Sequence, residues 1–258
     1  MKPIFENRPG RPFLVCSLAE KTELETVCTI RNAIWAGADG FLIHTQNLDA
    51  PFHNKETLSR IFSYCEDKPV MALDYRKNPN ETDDDHAAFL LESIDAGASC
   101  IDVPADLFDF QGAIGITYDE KAVDKQKALI EKAHEKGAQV LMSNHVMEFR
   151  ENAVLLEMAK AQESRGADIV KLVGKADTEA EALEAMKLTT MMRDTLKTDF
   201  LHIIGGKYGR LHRVIAPAYG SCMVLCVERY CEATWQKDKP LLRAVRTVYD
   251  NLDYGIMR

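Results

Sequence analysis

Two side chains able to do covalent and proton chemistry stand towards the ends of apolar runs. Lys171 lies in Gly166-Ala167-Asp168-Ile169-Val170-Lys171-Leu172-Val173, a stretch that otherwise has the composition of a buried parallel strand. Burial disfavours an ammonium ion, which predicts a neutral amine able to attack a carbonyl carbon. Earlier in the chain, His145 ends Gln139-Val140-Leu141-Met142-Ser143-Asn144-His145, and an imidazole there can carry protons near neutral pH. A nucleophilic amine and a proton carrier at the ends of successive strands point to Schiff-base chemistry. Read singly, the lysine would be a side chain snorkelling to solvent and the histidine an ordinary loop residue; the pairing is what makes a site of them.

The elements that must position these groups are marked by a recurring pattern. Ala36-Gly37-Ala38-Asp39, Ala96-Gly97-Ala98-Ser99, Lys136-Gly137-Ala138-Gln139 and Arg165-Gly166-Ala167-Asp168 each precede an apolar run. A glycine in the left-handed conformation closes a helix, and a strand follows within two or three residues. Thr22-Glu23-Leu24-Glu25 and Thr178-Glu179-Ala180-Glu181 are helix-start signals, with a hydroxyl and a carboxylate three apart. Apolar runs place strands at 13–17, 41–44, 70–75, 100–103, 140–143, 169–172, 201–204 and 222–225, with helices at 82–96, 120–136, 151–165, 178–198 and 240–252. Eight strands alternating with helices in 258 residues predict an α/β fold, a single-domain (β/α)8 TIM barrel with a short extension over 1–11. The open doubly wound sheet is the alternative, and no glycine-rich phosphate fingerprint follows the first strand to support it.

Barrel enzymes carry their chemistry at the carboxyl ends of the strands. Besides Lys171 and His145, this rule selects Arg76 after the third strand and His44 after the second. Ile204-Gly205-Gly206-Lys207-Tyr208-Gly209-Arg210-Leu211-His212-Arg213 reads as a basic glycine-rich loop able to hold an anion. The net charge of −8, with no basic stripe, argues against a nucleic-acid partner. The chain has no apolar run long enough for a membrane span and no signal-peptide core, so a cytoplasmic location is expected. The seven cysteines are odd in number and mostly embedded in apolar stretches, as reduced core thiols are. Cys222, Cys226 and Cys231 fit no common zinc spacing, and no metal site is expected. Met186, Leu188, Met191 and Met192 could form the face of a homodimer, although such a stripe is more often core packed against the barrel.

From about Pro12 to Leu252 the chain resembles the type I 3-dehydroquinate dehydratases. Gly166 to Lys171 looks like the segment bearing that family's imine-forming lysine, and Met142-Ser143-Asn144-His145 like the one bearing its acid-base histidine. Asp74-Tyr75-Arg76-Lys77 resembles the arginine motif of the third strand. Gly205 to Arg213, followed by Tyr219-Gly220-Ser221, resembles the seventh-strand arginine loop, and Gln236 matches a glutamine of the closing loop. The resemblance implies a barrel lyase without metal or organic cofactor. Lys171 would form the imine, and His145 would remove a proton from the adjacent carbon and return it to the departing β-hydroxyl, with a pKa near working pH. Arg76, Arg213 and Gln236 would hold the oxygens of a cyclic hydroxyketone.

Departures accompany the resemblance. Leu42 and His44 stand where the family carries a glutamate and an arginine, and His44 is a candidate to bind a substrate hydroxyl. Glu232 replaces a serine near the substrate carboxylate, where its charge would repel an acid, and Val146 replaces the aspartate that follows the histidine. The family's leading strand pair is absent, so the bottom of the barrel should close differently. The expected substrate is therefore 3-dehydroquinate or a related cyclic β-hydroxyketone lacking the carboxylate. A class I aldolase acting on a keto-sugar and a non-catalytic ligand-binding relative are the alternatives.

Overall fold

The structure, a computed structural model, describes residues 4–5, 10–77, 80–112, 115–230 and 238–252. Eight parallel strands form one sheet: β1 (Phe13–Leu18), β2 (Gly40–His44), β3 (Val70–Leu73), β4 (Cys100–Pro104), β5 (Gln139–His145), β6 (Ile169–Lys175), β7 (Asp199–Gly205) and β8 (Met223–Cys226). Each strand pairs with its neighbours in sequence from β1 to β7, and β8 pairs with β1. Between β7 and β8 the ladder is replaced by two bonds, Cys222 N–H to Phe200 O at 2.7 Å and His202 N–H to Ser221 Oγ at 3.1 Å. They close the barrel nearly completely.

The helices are α1 (Glu23–Trp35), α2 (Lys55–Ser63), α3 (Asp83–Asp95), α4 (Glu120–Glu135), α5 (Asn152–Ser164), α6 (Glu179–Thr195), α7 (Gly209–Ile215) and α8 (Leu242–Tyr249). The four predicted stop glycines, Gly37, Gly97, Gly137 and Gly166, all have positive φ, between +79° and +118°. At α1 the turn is closed by Gly37 N–H to Ile34 O and Ala38 N–H to Ala33 O. Thr178 and Glu181 form the expected capping box at α6, and Thr22 Oγ1 accepts from the Glu25 amide at α1. Two helices depart from the sequence reading. α2 was not expected between β2 and β3; Asn54 caps it, and Leu58, Ile61 and Phe62 supply its buried face. α7 occupies part of what reads as a glycine-rich loop, because the chain turns at Gly206, at φ +91°, and is helical again from Gly209.

Alternation in the strands produces two cores. Outward residues such as Leu14, Ile43, Val140 and Leu172 pack under the helices. Inward ones, among them Val15, Met71, Leu141, Ile169, Leu201 and Met223, fill the barrel. Ile4, only 2 % exposed, joins this inner core, and its amide donates to Gln139 Oε1 at 2.8 Å, while Phe5 meets Phe13 edge to face. The bottom is thus plugged by two side chains of the N-terminal segment. The apolar plug below leaves polar inward positions only towards the carboxyl ends.

The methionine stripe of α6 belongs to the core. Leu188 and Met192 are fully buried among Val170, Leu172, Leu196 and Phe200, and Met191 packs on the same cluster. Met186 and Met191 remain partly exposed. Leu188→Ala should lower the unfolding free energy by roughly 2 to 5 kcal/mol, read from urea melts at two protein concentrations. A loss that vanished on dilution would instead assign the stripe to self-association.

Candidate active site

The site is built at the carboxyl ends of β3 to β6, where consecutive inward positions are polar. In register, Ser143 lies opposite Lys171 and His145 opposite Val173, so the lysine and the histidine project into the same interior one level apart. Lys171 is 4 % exposed. Its Nζ donates to Asp102 Oδ2 and to the Tyr75 hydroxyl oxygen, both at 2.8 Å. Tyr75 donates in turn to Asp102 Oδ2 at 2.9 Å, and Ser143 donates to Asp102 Oδ1 at 2.5 Å. The Tyr75 and Ser143 oxygens lie 3.1 Å apart. A carboxylate with no solvent exposure is thus satisfied by three donors.

This network corrects the expectation of a neutral amine. Burial pulls the Lys171 pKa down, as the sequence suggests, but the Asp102 carboxylate and the Tyr75 oxygen outweigh it and hold the group above its ordinary value. The resting lysine is an ammonium ion. His145 is corrected as well: burial, then the charges of Lys171 and Arg213, pull it down to about 3, far from working pH. Its imidazole is neutral and its buried Nε2 has no hydrogen-bond partner among the described residues. The ring meets Tyr75 edge to face at 6.0 Å, and the Lys171 nitrogen lies 5.4 Å from the centre of the Tyr75 ring.

Lys171 and His145 line one cavity of about 530 Å³. His44, at the end of β2, lines it too; its Nε2 lies 2.9 Å from Ser17 Oγ and its Nδ1 3.5 Å from Gln46 Nε2. Burial first, then Lys239, Lys171 and His145, depress its pKa well below the usual histidine range, so it too is neutral. Arg213, from α7, reaches the cavity and donates to Asp238 at 2.7 Å, while its buried Nε has no partner among the described residues. Lys175 and Lys239 complete the cationic lining, and Asp238 is the one carboxylate among the described lining residues.

Arg76 is not among these residues. Its guanidinium donates to both oxygens of Asp83, at 2.6 and 2.8 Å, and to Asp106 Oδ1 and O, at 3.0 and 2.9 Å, and these partners hold it beneath the β4–α4 segment. Gln236 and Glu232 lie outside the described residues. Sequence reasoning missed Asp102, Tyr75, Ser143, Ser17 and Lys239. The first had a visible signal: an aspartate inside the apolar run Cys100 to Val103 demands a partner as much as the lysine does.

Comparison with known proteins bears on the family and the fold. The family model of type I 3-dehydroquinase matches residues 52–229. The chain belongs to that family. A 3-dehydroquinate dehydratase of Lactiplantibacillus plantarum is 29 % identical over 109 residues, 41 % of each chain, and one of Alkaliphilus oremlandii is 30 % identical over 118 residues, 44 % of this chain and 45 % of the relative. The matched stretches thus span less than half the length of these relatives. The fold agreement is wider. A type I 3-dehydroquinate dehydratase from Clostridium difficile, solved with covalently modified comenic acid, superposes with a TM-score of 0.81 at 16 % identity, covering 96 % of this chain and 95 % of that one. The 3-dehydroquinate dehydratase of Geobacillus kaustophilus gives 0.80 at 14 %, covering 95 % and 92 %.

Two predictions follow from the charges. Asp102→Asn leaves a buried ammonium ion without its counter-charge and should cost roughly 3 to 5 kcal/mol at pH 7. Without Asp102 the folded lysine falls below its unfolded pKa, so part of the loss, measured against wild type in urea melts, should return by pH 9.5. A deficit equal at both pH values would refute the charge argument.

The second concerns acid. Behind β7, His202 and His212 share Thr189 Oγ1 at 2.8 and 3.3 Å and are buried and neutral, with His212 pulled down to about 3 by burial and then Arg213. A folded pKa below the unfolded one means stability present above about 6.5 and lost from there down to about 3. His212 alone should then cost about 2 kcal/mol at pH 5 relative to pH 8. The melting curves of His212→Gln should be flatter over this window by that amount.

Proposed function

We propose that this protein is a Schiff-base lyase that removes water from 3-dehydroquinate or a close anionic relative. One observation carries the reading: Lys171 and a neutral His145, whose Nε2 has no partner among the described residues, line a single cavity from adjacent strands. The ketone carbon of a bound substrate would meet Lys171, and the imine nitrogen would take over the contacts to Asp102 and Tyr75. An adjacent carboxylate stabilises a protonated imine, which draws electrons from the neighbouring carbon. His145, already deprotonated, is ready to accept the proton released there. It would then deliver that proton to the departing hydroxyl.

The lining revises the substrate expectation. Lys171 is answered by Asp102, Lys175 by Asp177 and Arg213 by Asp238, and the Arg213 guanidinium keeps one buried N–H without a partner among the described residues. The free Arg213 Nε is the natural donor for a carboxylate oxygen. The six free cysteines among the described residues suit a reducing, cytoplasmic setting.

The test is borohydride reduction in the presence of 3-dehydroquinate, with mass spectrometry of the Lys171 peptide and absorbance of the conjugated enone. Wild type should give both the adduct and the enone, and Lys171→Ala neither. His145→Gln should still trap the adduct while enone formation falls about 100- to 10,000-fold. A ring-opened isomer of unchanged mass in place of the enone would establish aldolase chemistry instead, and absence of any adduct on Lys171 would end the imine proposal.

A further inference from the structure

The nitrogen of Lys171 is held by two groups of different chemistry. Asp102 Oδ2 and the Tyr75 oxygen each accept one of its N–H bonds at 2.8 Å, which leaves the third position on nitrogen for a new bond to carbon. The carboxylate can take a proton but has none to give. The phenol can do both, since its oxygen already accepts from Nζ and its own proton lies on Asp102 Oδ2 at 2.9 Å. Burial first, then the Asp102 charge, keep it un-ionised, so that proton is present at working pH. Tyr75 also lines the cavity beside Lys171 and His145. Turning its proton away from Asp102 leaves the carboxylate its bonds from Lys171 and Ser143.

Forming the imine requires a proton to move between two atoms of one intermediate. The ammonium first passes a proton to His145, whose Nε2 has no partner among the described residues. The Nζ lone pair then attacks the ketone carbon and the carbonyl π pair moves to oxygen, giving a cationic amine and an alkoxide on the same carbon. A direct transfer from this nitrogen to this oxygen needs a cramped ring, and a hydroxyl touching both relieves it. The alkoxide is borne by the carbon joined to Nζ, so a hydroxyl bonded to Nζ comes within its reach by rotation about the new bond. We infer that Tyr75 is a catalytic residue that relays this proton: its oxygen takes one from Nζ while its own passes to the alkoxide, and the phenol ends as it began. His145 then returns its proton to the carbinolamine hydroxyl, water leaves with the C–O pair, and the nitrogen lone pair completes the protonated imine. The inference rests on the lyase reading above and deepens it.

Rapid-quench borohydride trapping with 3-dehydroquinate tests it, because the adducts on Lys171 formed before and after elimination differ by one water in mass. Tyr75→Phe should slow the appearance of total adduct about 100-fold, within the range for general acid–base groups. The share of undehydrated adduct should fall as well, since the elimination that follows does not use the relay. A role confined to holding the lysine charge gives the opposite result: loss of a contact that raises the Lys171 pKa would free the amine and quicken trapping. Tyr75→Gln, which offers a donor and an acceptor but is a poor carrier of protons, should be about as slow as Tyr75→Phe. If either variant traps as fast as wild type, or if undehydrated adduct accumulates in Tyr75→Phe, the relay is overturned and the lyase reading stands. Where wild type forms no adduct on Lys171, both fall together.

Discussion

The ion pair between Lys171 and Asp102 is the constraint from which the properties of the site descend. Two opposite charges sit at 2.8 Å inside a barrel, nearly stripped of water. Removing each from solvent costs several kcal/mol, and their attraction offsets this only because Tyr75 and Ser143 satisfy the remaining carboxylate positions. Given the pair, the rest follows. The lysine stays protonated, the tyrosine is held un-ionised by burial and the neighbouring carboxylate, and the histidine is kept neutral by burial and nearby cations. A change in any one charge would move the others, since little water is present to screen them.

The fold places this pair through simple periodicity. Inward positions occur every second residue, and the lower ones are filled by the apolar plug that begins with Ile4. Polar side chains are therefore confined to the upper inward positions: Ser17 on β1, His44 on β2, Tyr75 just beyond β3, Asp102 on β4, Ser143 with His145 on β5, and Lys171 on β6. On β7 and β8 the same positions hold Ile203 and Leu225. Arg213 and Lys239 reach the cavity from the segments that follow these two strands.

Sequence patterns revealed the strand positions and the stop glycines because both arise from local backbone geometry. Lys171 and His145 were legible for the same reason, as polar residues ending apolar runs. What could not be read was which side chains meet across the barrel. Asp102 lies 69 positions from Lys171, and without it burial alone gives the wrong charge for the lysine. Arg76 shows the converse: strand-end placement suggested a ligand, but Asp83 and Asp106, one of them seven residues along the chain, bind it first. The α7 segment was misread because glycine signals both a loop and the turn before a helix. Only the backbone at Gly206 separates the two.

A permanently charged lysine looks unsuited to nucleophilic attack, yet the overall charge balance favours it. An ammonium ion and a ketone combine to give a protonated imine and water, so the positive charge that Asp102 holds at the start is the one it holds at the end. No proton need leave the site; one must be parked while the carbon–nitrogen bond forms. The vacant Nε2 of His145 is a place for it, and its depressed pKa ensures that the proton does not stay there. The following elimination has the same character, since the proton taken from carbon departs with the hydroxyl as water. A site that begins and ends each step with one cation beside Asp102 needs little rearrangement of its surroundings. That constancy of charge is what a dry, rigid barrel interior can best support.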